Sequence, residues 1–302
     1  MVMNHLIHSY GGLDLSRGKI ICLIGGLYTV INENNERFDL KPIGLFRYQN
    51  ISPKVGDDVI FNNDSITEVL PRKNDLIRPA IANVDQAIII CSAKEPEFSF
   101  YLLDQFLALI INANVLPVIV LTKIDLLFSE ELITIKSKLA YYQTMFPVYY
   151  VDSMNKQGVE ELMLGLAGKV NVFCGQTGAG KSSLLNAIMP ELELKTDKIS
   201  LALGRGKHTT RHVELINVHN AWIADTPGFS KLDFPNMEIT QLKDLYPDFV
   251  NLSPDCRFNG CLHINEPDCA VKTAYHSDRI LKERYENYLL FHQMIKKQKP
   301  KY

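Results

Sequence analysis

The alternation of hydrophobic and polar positions divides the chain into three stretches with different periodicities. In the first, residues 19–70, short apolar runs are separated by turn residues and polar clusters, which predicts β-strands. The segments that we interpret as strands are KIICLI, LYTVIN, RFDL, GLFR, VGDDVIF and SITEVL. Five or so short strands of this kind predict a small β-barrel.

After Arg72 the pattern changes to strands that alternate with longer helical periods. Strands are predicted at residues 84–91, 115–121, 147–152, 169–174, 213–218 and 222–225, and helices at 98–111, 130–142, 159–166 and 181–188. This alternation is typical of an α/β domain in which helices cover a parallel sheet.

No strand pattern remains beyond Pro235, where a Cys/His cluster is followed by apolar residues at helical spacing, including Ile280, Tyr288 and Ile295. This stretch predicts a third, helical unit. We therefore divide the chain into a barrel domain (residues 1–71), an α/β domain (72–233) and a helical domain (234–302).

Composition places the chain in the ordinary globular range. Of its 302 residues, 46% are hydrophobic and 22% are charged, which excludes a disordered chain. The longest apolar stretch, residues 98–121, is interrupted by Asp104, Asn112 and Pro117, which excludes a membrane-spanning helix there. The start of the chain lacks the pattern of a secretory signal, and the six cysteines do not resemble a disulfide framework. We therefore expect a cytoplasmic protein that does not bind membranes.

The net charge of −2 argues against general nucleic-acid binding, but the charge is unevenly spread. Residues 195–212 hold five Lys or Arg against one acid, and residues 270–302 hold eight against three. Each run is either a solvated face or a surface for RNA. Residues 1–72 hold seven basic and eight acidic side chains, so charge does not support RNA binding by the barrel.

The segment GQTGAGKS, residues 175–182, carries the strongest chemical signal. It follows the apolar VNVFC and precedes the helical SLLNAIM, the context of a phosphate-binding loop rather than of a chance glycine-rich turn. Backbone N–H groups there point at phosphate oxygens, Lys181 reaches the β- and γ-phosphates, and Ser182 ligates Mg²⁺. The residues that we assign to nucleotide binding here are Phe173, Cys174, Gly175, Gln176, Thr177, Gly178, Ala179, Gly180, Lys181, Ser182 and Ser183.

A second motif, Thr122-Lys123-Ile124-Asp125, follows a predicted buried strand, where parallel sheets place ligand-contacting residues. Asp125 can accept hydrogen bonds from N1–H and the 2-amino group of guanine, whereas adenine offers neither donor. Alone, the tetrapeptide is a weak signal, because a strand end followed by a polar turn is the more common explanation of such a sequence. Together with the phosphate loop, it predicts that these four residues bind a guanine nucleotide.

The third motif, Asp-Thr-Pro-Gly at residues 225–228, ends the last predicted strand. Asp225 can hold Mg²⁺ through water and the Gly228 N–H can sense the γ-phosphate, although this is also a common turn sequence. Upstream, either Thr209 or Thr210 could complete the magnesium shell, and the sequence leaves open which one does so.

A Cys/His cluster spans Cys256, Cys261, His263 and Cys269. Four such ligands within fourteen residues suit a tetrahedral Zn²⁺ ion, and a closed Cys₃His shell leaves no position for substrate. We therefore expect one structural zinc ion rather than a catalytic one.

The order of the motifs is unusual, because the guanine-reading motif and a second base-contacting turn at Asp152-Ser153-Met154 precede the phosphate loop. This is the order of a circularly permuted GTPase, in which Ser153 would bind nucleotide. With the small barrel, the GxHTT-type segment and the Cys/His cluster, the chain resembles the RsgA family of ribosome small-subunit-dependent GTPases over nearly its whole length. Thr122 is a departure, since many GTPases have Asn there, and we expect tuned affinity rather than lost specificity.

The resemblance implies an OB-like barrel, a permuted P-loop GTPase domain and a helical zinc-binding domain. It also implies ribosome-stimulated hydrolysis of GTP to GDP and phosphate, with Mg²⁺, during late maturation of the small ribosomal subunit. The expected partners are that subunit and its rRNA, and the expected state is a monomer. The resemblance also implies the same four zinc ligands, Cys256, Cys261, His263 and Cys269.

The position after Gly228 holds Phe229, whereas many GTPases carry there a glutamine that orients the attacking water. We expect slow intrinsic hydrolysis, with His208 as the candidate catalytic residue, a role to which the resemblance also points. Contact between His208 and RNA phosphate is the alternative. Two other functions stay open at this point: an ATP-dependent small-molecule kinase, against which Asp125 argues, and an RNA-binding module with a regulatory nucleotide site.

Overall fold

The computed structural model describes residues 15–190, 213–227, 233–235 and 237–298. The strands in these ranges are β1 (Ser16–Ile24), β2 (Leu27–Asn32), β3 (Arg37–Pro42), β4 (Asp58–Phe61), β5 (Ser65–Val69), β6 (Gln86–Ser92), β7 (Leu116–Thr122), β8 (Val148–Val151), β9 (Val170–Gly175), β10 (Leu215–Val218) and β11 (Ala221–Pro227). The helices are α1 (Leu45–Tyr48), α2 (Phe100–Asn112), α3 (Ser129–Gln143), α4 (Val159–Leu166), α5 (Lys181–Ile188), α6 (Pro247–Leu252), α7 (Ala270–His276) and α8 (Lys282–Lys297). The same described ranges also contain three 3₁₀ segments, Ile124–Leu126, Ile239–Leu245 and Ser253–Asp255.

The predicted barrel is confirmed as a closed sheet with strand order β1-β2-β3-β5-β4. Its interior is tightly filled, because Ile20, Val59 and Ile66 have no exposed surface. Gly18 is required at its place in β1, since a Cβ there would lie 2.6 Å from Val30 Cγ1 and 2.7 Å from the Ile31 carbonyl oxygen. Small residues of this kind let strands approach closely in a narrow barrel.

One strand prediction in this stretch is wrong, since GLFR forms the short helix α1. Strand β3 ends at Pro42, and the following backbone is satisfied by local bonds from Phe46 N–H to the Ile43 carbonyl and from Arg47 N–H to the Gly44 carbonyl. Only Phe46 of the four helical residues is buried. One buried side chain per turn is typical of a short surface helix rather than of a strand.

The predicted α/β pattern forms a six-stranded sheet with order β10-β11-β9-β6-β7-β8. β7 pairs in parallel with β6 and β8, whereas β10 and β11 form an antiparallel hairpin. Strand β6 is apolar and almost fully buried, as expected when helices cover both faces of a parallel sheet. The guanine-reading motif, residues 122–125 and called the base-reading motif below, begins at the end of β7. The phosphate loop begins at the end of β9.

Internal contacts divide the chain into two units. Among the described residues, the first holds 15–85, 166–172 and 213–227, and the second holds 86–165, 173–190, 233–235 and 237–298. Strand β9 contributes residues to both units. The base-reading motif, the phosphate loop and the Cys/His cluster all belong to the second unit.

Beyond Pro235 the described residues form helices, as predicted, and these helices pack on an aromatic cluster that includes Tyr246, Phe249 and Tyr288. They belong to the second unit rather than to a unit of their own. The positive charge of this stretch is smaller at the surface than the sequence count suggests. Arg284 is only 1% exposed and is paired with Asp104, so it does not contribute to a basic face. In the part of the chain that the structure describes, we find no helix with the length and apolar character needed to cross a membrane.

Candidate nucleotide site and metal centre

The phosphate loop turns sharply between β9 and α5. Gly175, Gly178 and Gly180 all have positive φ, at 138°, 82° and 89°, which L-residues with side chains rarely adopt. A Cβ on Gly175 would lie 2.2 Å from the carbonyl oxygen of Ile90, so the loop is pressed against β6. The glycine pattern in the sequence therefore reflects both backbone conformation and close packing.

Lys181 begins α5 and folds over the loop. Its Nζ donates to the carbonyl oxygens of Gly175, at 2.7 Å, and Gln176, at 2.9 Å. Burial lowers the pKa of Lys181 below its ordinary value, since a charged ammonium group is poorly solvated there. The side chain lies among loop carbonyls, where an ammonium group can also reach phosphate oxygens.

The first three residues of the base-reading motif are anchored by the surrounding structure, whereas the fourth, Asp125, is exposed. Thr122 is 1% exposed at the end of β7, and Ile124 is 7% exposed. Lys123 has the left-handed conformation, with φ of 57°, and its ammonium group donates to the Glu95 carbonyl. The Asp125 carboxylate is exposed, so it is available to a ligand.

The motif is joined directly to the phosphate loop. Thr122 Oγ1 lies 2.6 Å from the carbonyl oxygen of Ala179 and 3.2 Å from that of Cys91. A Cβ on Gly180 would lie in ordinary contact with Thr122, 3.4 Å from Oγ1. Two segments that are more than fifty positions apart in the chain therefore form one surface, as the sequence analysis expected of a nucleotide site.

The turn after β8 is ordered by the carboxylate of Asp152, which accepts from the backbone N–H groups of Met154, at 2.9 Å, and Asn155, at 3.1 Å. Burial opposes ionisation of this carboxyl group, but the bonds from Asn155 and Met154 outweigh it and lower the pKa of Asp152. Ser153 is half-buried in the turn. Asp152 therefore shapes the turn that we predict to contact the base.

Several predicted site residues are placed differently or lie outside the described residues. The side chains of Phe173 and Cys174 are buried, at 3% and 1% exposure, so only their backbone faces the loop. His208, Thr209, Thr210 and Gly228 lie outside the described residues, as does the side chain of Asp225. Their assignments stay predictions.

The four residues of the Cys/His cluster are brought together, with their ligand atoms all within 4.8 Å of one another. His263 Nδ1 lies 3.7 Å from Cys256 Sγ and 3.4 Å from Cys269 Sγ, and those two sulfur atoms are 3.9 Å apart. Ordinary Zn–S and Zn–N bond lengths at tetrahedral angles give separations of about 3.8 Å for S···S and about 3.6 Å for S···N. The cluster therefore fits a zinc ion.

Ser253 fixes the ring of His263 for this role. Its hydroxyl donates to the Phe249 carbonyl at 2.8 Å, and its oxygen lies 3.2 Å from His263 Nε2. Because the hydroxyl has one proton, the second contact requires Nε2–H to donate. Nδ1 is then unprotonated and free to ligate a metal. Burial, helped by the nearby positive charge of Lys243, lowers the pKa of His263 and favours this neutral form.

The loop between Cys261 and Cys269 is ordered by Glu266. Its carboxylate accepts from the backbone N–H groups of Leu262, at 2.8 Å, and Ile264, at 2.9 Å. Burial opposes ionisation, but the backbone hydrogen bonds outweigh it and lower the pKa of Glu266. Neither Ser253 nor Glu266 falls at a spacing typical of a metal ligand, so the sequence gives no signal for these two residues.

Comparison with known proteins agrees with this site. The RsgA GTPase family matches residues 69–235, and the RsgA N-terminal domain matches residues 17–69. The small ribosomal subunit biogenesis GTPase RsgA of Geobacillus sp. (strain WCH70) is 47% identical over 294 residues, covering 95% of this chain and 100% of the relative. The protein of the same name from Bacillus pumilus (strain SAFR-032) is 46% identical over 298 residues, with the same coverage.

Two solved structures have the same overall fold. YjeQ from Thermotoga maritima superposes with a TM-score of 0.84 at 34% identity, covering 94% of this chain and 100% of that one. YloQ, described as a circularly permuted GTPase, also gives 0.84, at 36% identity, covering 98% and 100%. The similarity thus extends from the barrel through the permuted motifs to the Cys/His cluster, and we conclude that the chain belongs to the RsgA family of GTPases.

Proposed function

We propose that this protein hydrolyses GTP to GDP and phosphate, and that it does so on the small ribosomal subunit during the subunit's late maturation. The observation that carries the GTPase assignment is the junction of the two motifs, in which Thr122 bonds to the Ala179 carbonyl. A guanine-reading carboxylate and a phosphate loop on one surface are what a GTPase requires. The names of the relatives, which are small-subunit biogenesis GTPases, support the ribosomal role.

In this proposal, different residues bind different parts of the nucleotide. The exposed Asp125 binds the guanine edge, the Ser153 turn contacts the base, and loop residues 175–183 bind the phosphates. Ser182 and Asp225 hold Mg²⁺, which neutralises phosphate charge when bound. Thr209 or Thr210 and the Gly228 N–H respond to the γ-phosphate.

The zinc ion has a structural role in this proposal. Cys256, Cys261, His263 and Cys269 would hold it as a closed shell, which leaves no position for a substrate. Burial raises the pKa of the Cys261 thiol to about 12, and a bound cation favours the thiolate instead.

We keep the proposed division into domains at residues 1–71, 72–233 and 234–302.

The partner surface is proposed to be basic. Residues 195–212 hold five Lys or Arg, and Lys282, Lys296 and Lys297 are exposed on α8. Lysines at such positions suit rRNA phosphates, and binding through them weakens as salt is raised. A monomer acting in the cytoplasm is the form that we propose.

His208 is the proposed catalytic residue, because Phe229 cannot orient water. We expect His208→Ala to abolish subunit-stimulated turnover while the Kd for GDP stays within about twofold. The control is His276→Ala, which changes an exposed histidine at the end of α7. Unchanged stimulated turnover in His208→Ala would contradict this role and leave RNA contact as its function.

Sedimentation with purified ribosomal subunits tests the partner. The protein, loaded with GDP or with a non-hydrolysable GTP analogue, is mixed with isolated small or large subunits. We expect pelleting with small subunits in the GTP-analogue state, weaker pelleting with GDP, and a steep loss between about 50 and 200 mM salt. Equal pelleting with large subunits, or no pelleting at all, would contradict the proposal.

A further inference from the structure

Thr122 occupies a position where many GTPases have asparagine, but here the side chain is not accessible. The residue is 1% exposed, and it lies beneath the phosphate loop. A ligand at the surface of the loop therefore cannot contact its hydroxyl without displacing the loop.

The hydrogen-bonding capacity of Thr122 is also already used. A threonine hydroxyl carries one proton, and two carbonyl oxygens face Thr122 Oγ1, those of Ala179 at 2.6 Å and Cys91 at 3.2 Å. Ala179 is itself 1% exposed, so its carbonyl has this hydroxyl as a buried partner. An asparagine side chain would bring two N–H donors, whereas threonine has none left over.

The lack of a free donor on the Thr122 side chain affects how one edge of guanine can be recognised. The N1–H and 2-amino donors face the carboxylate of Asp125 in the proposed site, whereas N7, an acceptor, lies on the opposite edge of the ring. N7 can be recognised only by a donor. Since the hydroxyl proton of Thr122 is directed at the Ala179 carbonyl, the side chain of residue 122 has no donor for N7.

We propose that Thr122 is a positioning residue that fixes the phosphate loop through Ala179, and that the guanine ring is recognised without a hydrogen bond to N7. Selectivity for the base then rests on Asp125. This inference rests on the proposed function and deepens it, since it defines which guanine analogues the site accepts.

Three diphosphates measure the recognition directly: GDP, 7-deaza-GDP, in which N7 is replaced by carbon, and IDP, which lacks the 2-amino group. By competition against a fluorescent GDP, we expect 7-deaza-GDP to bind within about twofold of GDP. IDP should bind about tenfold more weakly, because one donor to the Asp125 carboxylate is missing. A tenfold loss with 7-deaza-GDP would overturn the proposal.

Substitutions then test the positioning role. Thr122→Val leaves the Ala179 carbonyl without its buried partner, and we expect GDP affinity to fall about tenfold while the ratio of GDP to IDP affinity is unchanged. Thr122→Ser restores the hydroxyl and should bind GDP as the parent does. The control is Thr134→Val, on the exposed face of α3, which should not alter binding.

Two results would contradict the positioning role. One is normal GDP affinity in Thr122→Val, and the other is a changed ratio of GDP to IDP affinity, which would place Thr122 in base recognition. Absence of GDP binding by the unmodified chain is a different result, because it would refute the proposed function itself and this inference with it.

Discussion

At the scale of single residues, the Asp125 carboxylate is exposed, whereas the two residues that precede it in the chain are fixed in place. Lys123 adopts a left-handed conformation and is tied to the Glu95 carbonyl, and Ile124 is buried. Because the neighbouring residues are held in place, little ordering of the backbone is needed when a base binds. Preorganisation of this kind raises affinity without adding contacts.

Replacement of this carboxylate should change the preferred base. In Asp125→Asn, the side-chain amide can donate to the 2-oxo group of xanthine but can no longer accept two donors from guanine. Hydrogen bonds to a charged group contribute about 1.5–3 kcal/mol each, so GDP affinity should fall about 100-fold or more, while XDP affinity should rise. The Kd values for both nucleotides measure this effect, and retained GDP preference would contradict it.

At the scale of elements, two residues of the Cys/His cluster lie at the ends of short helices: Cys256 directly follows the 3₁₀ segment Ser253–Asp255, and Cys269 directly precedes α7. Cys269 is the N-cap of α7, where its sulfur accepts from the Lys272 N–H at 3.5 Å. The Ser253 hydroxyl contacts His263 Nε2 and thereby orients the ring. The geometry of the cluster is therefore set by short helices and by polar partners behind the ligands, as is usual for metal sites.

Ser253→Ala should weaken metal binding although it removes no ligand. Loss of the acceptor for His263 Nε2–H frees the ring to rotate and to change tautomer, and losses of such partners reduce metal affinity about 10–100-fold. Competition with a chelator measures the zinc affinity. Ser277→Ala at the end of α7 is the control, because this hydroxyl bonds to the Thr273 and Ala274 carbonyls and to the Arg279 side chain rather than to a residue of the Cys/His cluster. Equal zinc affinities in the two variants would contradict this role for Ser253.

The sequence was sufficient for elements with strong periodicity and for motifs with close spacing. The bounds of α4 and α5 match those predicted, and the four cluster ligands do lie together. Prediction from the sequence failed where the structure or the exposure of a residue depends on contacts that the local pattern does not show. The GLFR segment is a short apolar run between turn residues, which is typical of a strand, yet β3 ends at Pro42 and the segment folds as a helix. The partners of Arg284 are far away in the chain, so its charge was wrongly counted as exposed.

At the scale of the whole molecule, a buried ionic cluster joins distant parts of the second unit. The Arg284 guanidinium lies 2.6 Å from Asp104 on α2 and 3.0 Å from Asp248 on α6, and its Cζ atom lies 4.3 Å from the ring centre of Tyr246. Asn287 and Tyr142 also donate to Asp104, at 2.7 and 3.0 Å. These bonds connect the helices beyond Pro235 to α2, and both belong to the unit that contains the phosphate loop.

Removal of the cation should be much more costly than loss of a surface pair. Arg284→Ala leaves two buried carboxylates without a counter-ion, and breaking a buried pair in this way costs about 3–5 kcal/mol of unfolding free energy. Lys282→Ala, which removes an exposed contact with Glu286, should cost less than about 0.5 kcal/mol. Urea unfolding measures both changes, and similar values for the two variants would contradict the importance of the cluster.

The central claim is that the chain is a GTPase that responds to the small ribosomal subunit. The most direct test is phosphate release by the purified protein with GTP or ATP, alone and with isolated small or large subunits. We predict slow release with GTP alone, a many-fold increase with small subunits only, and no comparable release with ATP. Equal turnover of ATP, or no response to small subunits, would contradict the account.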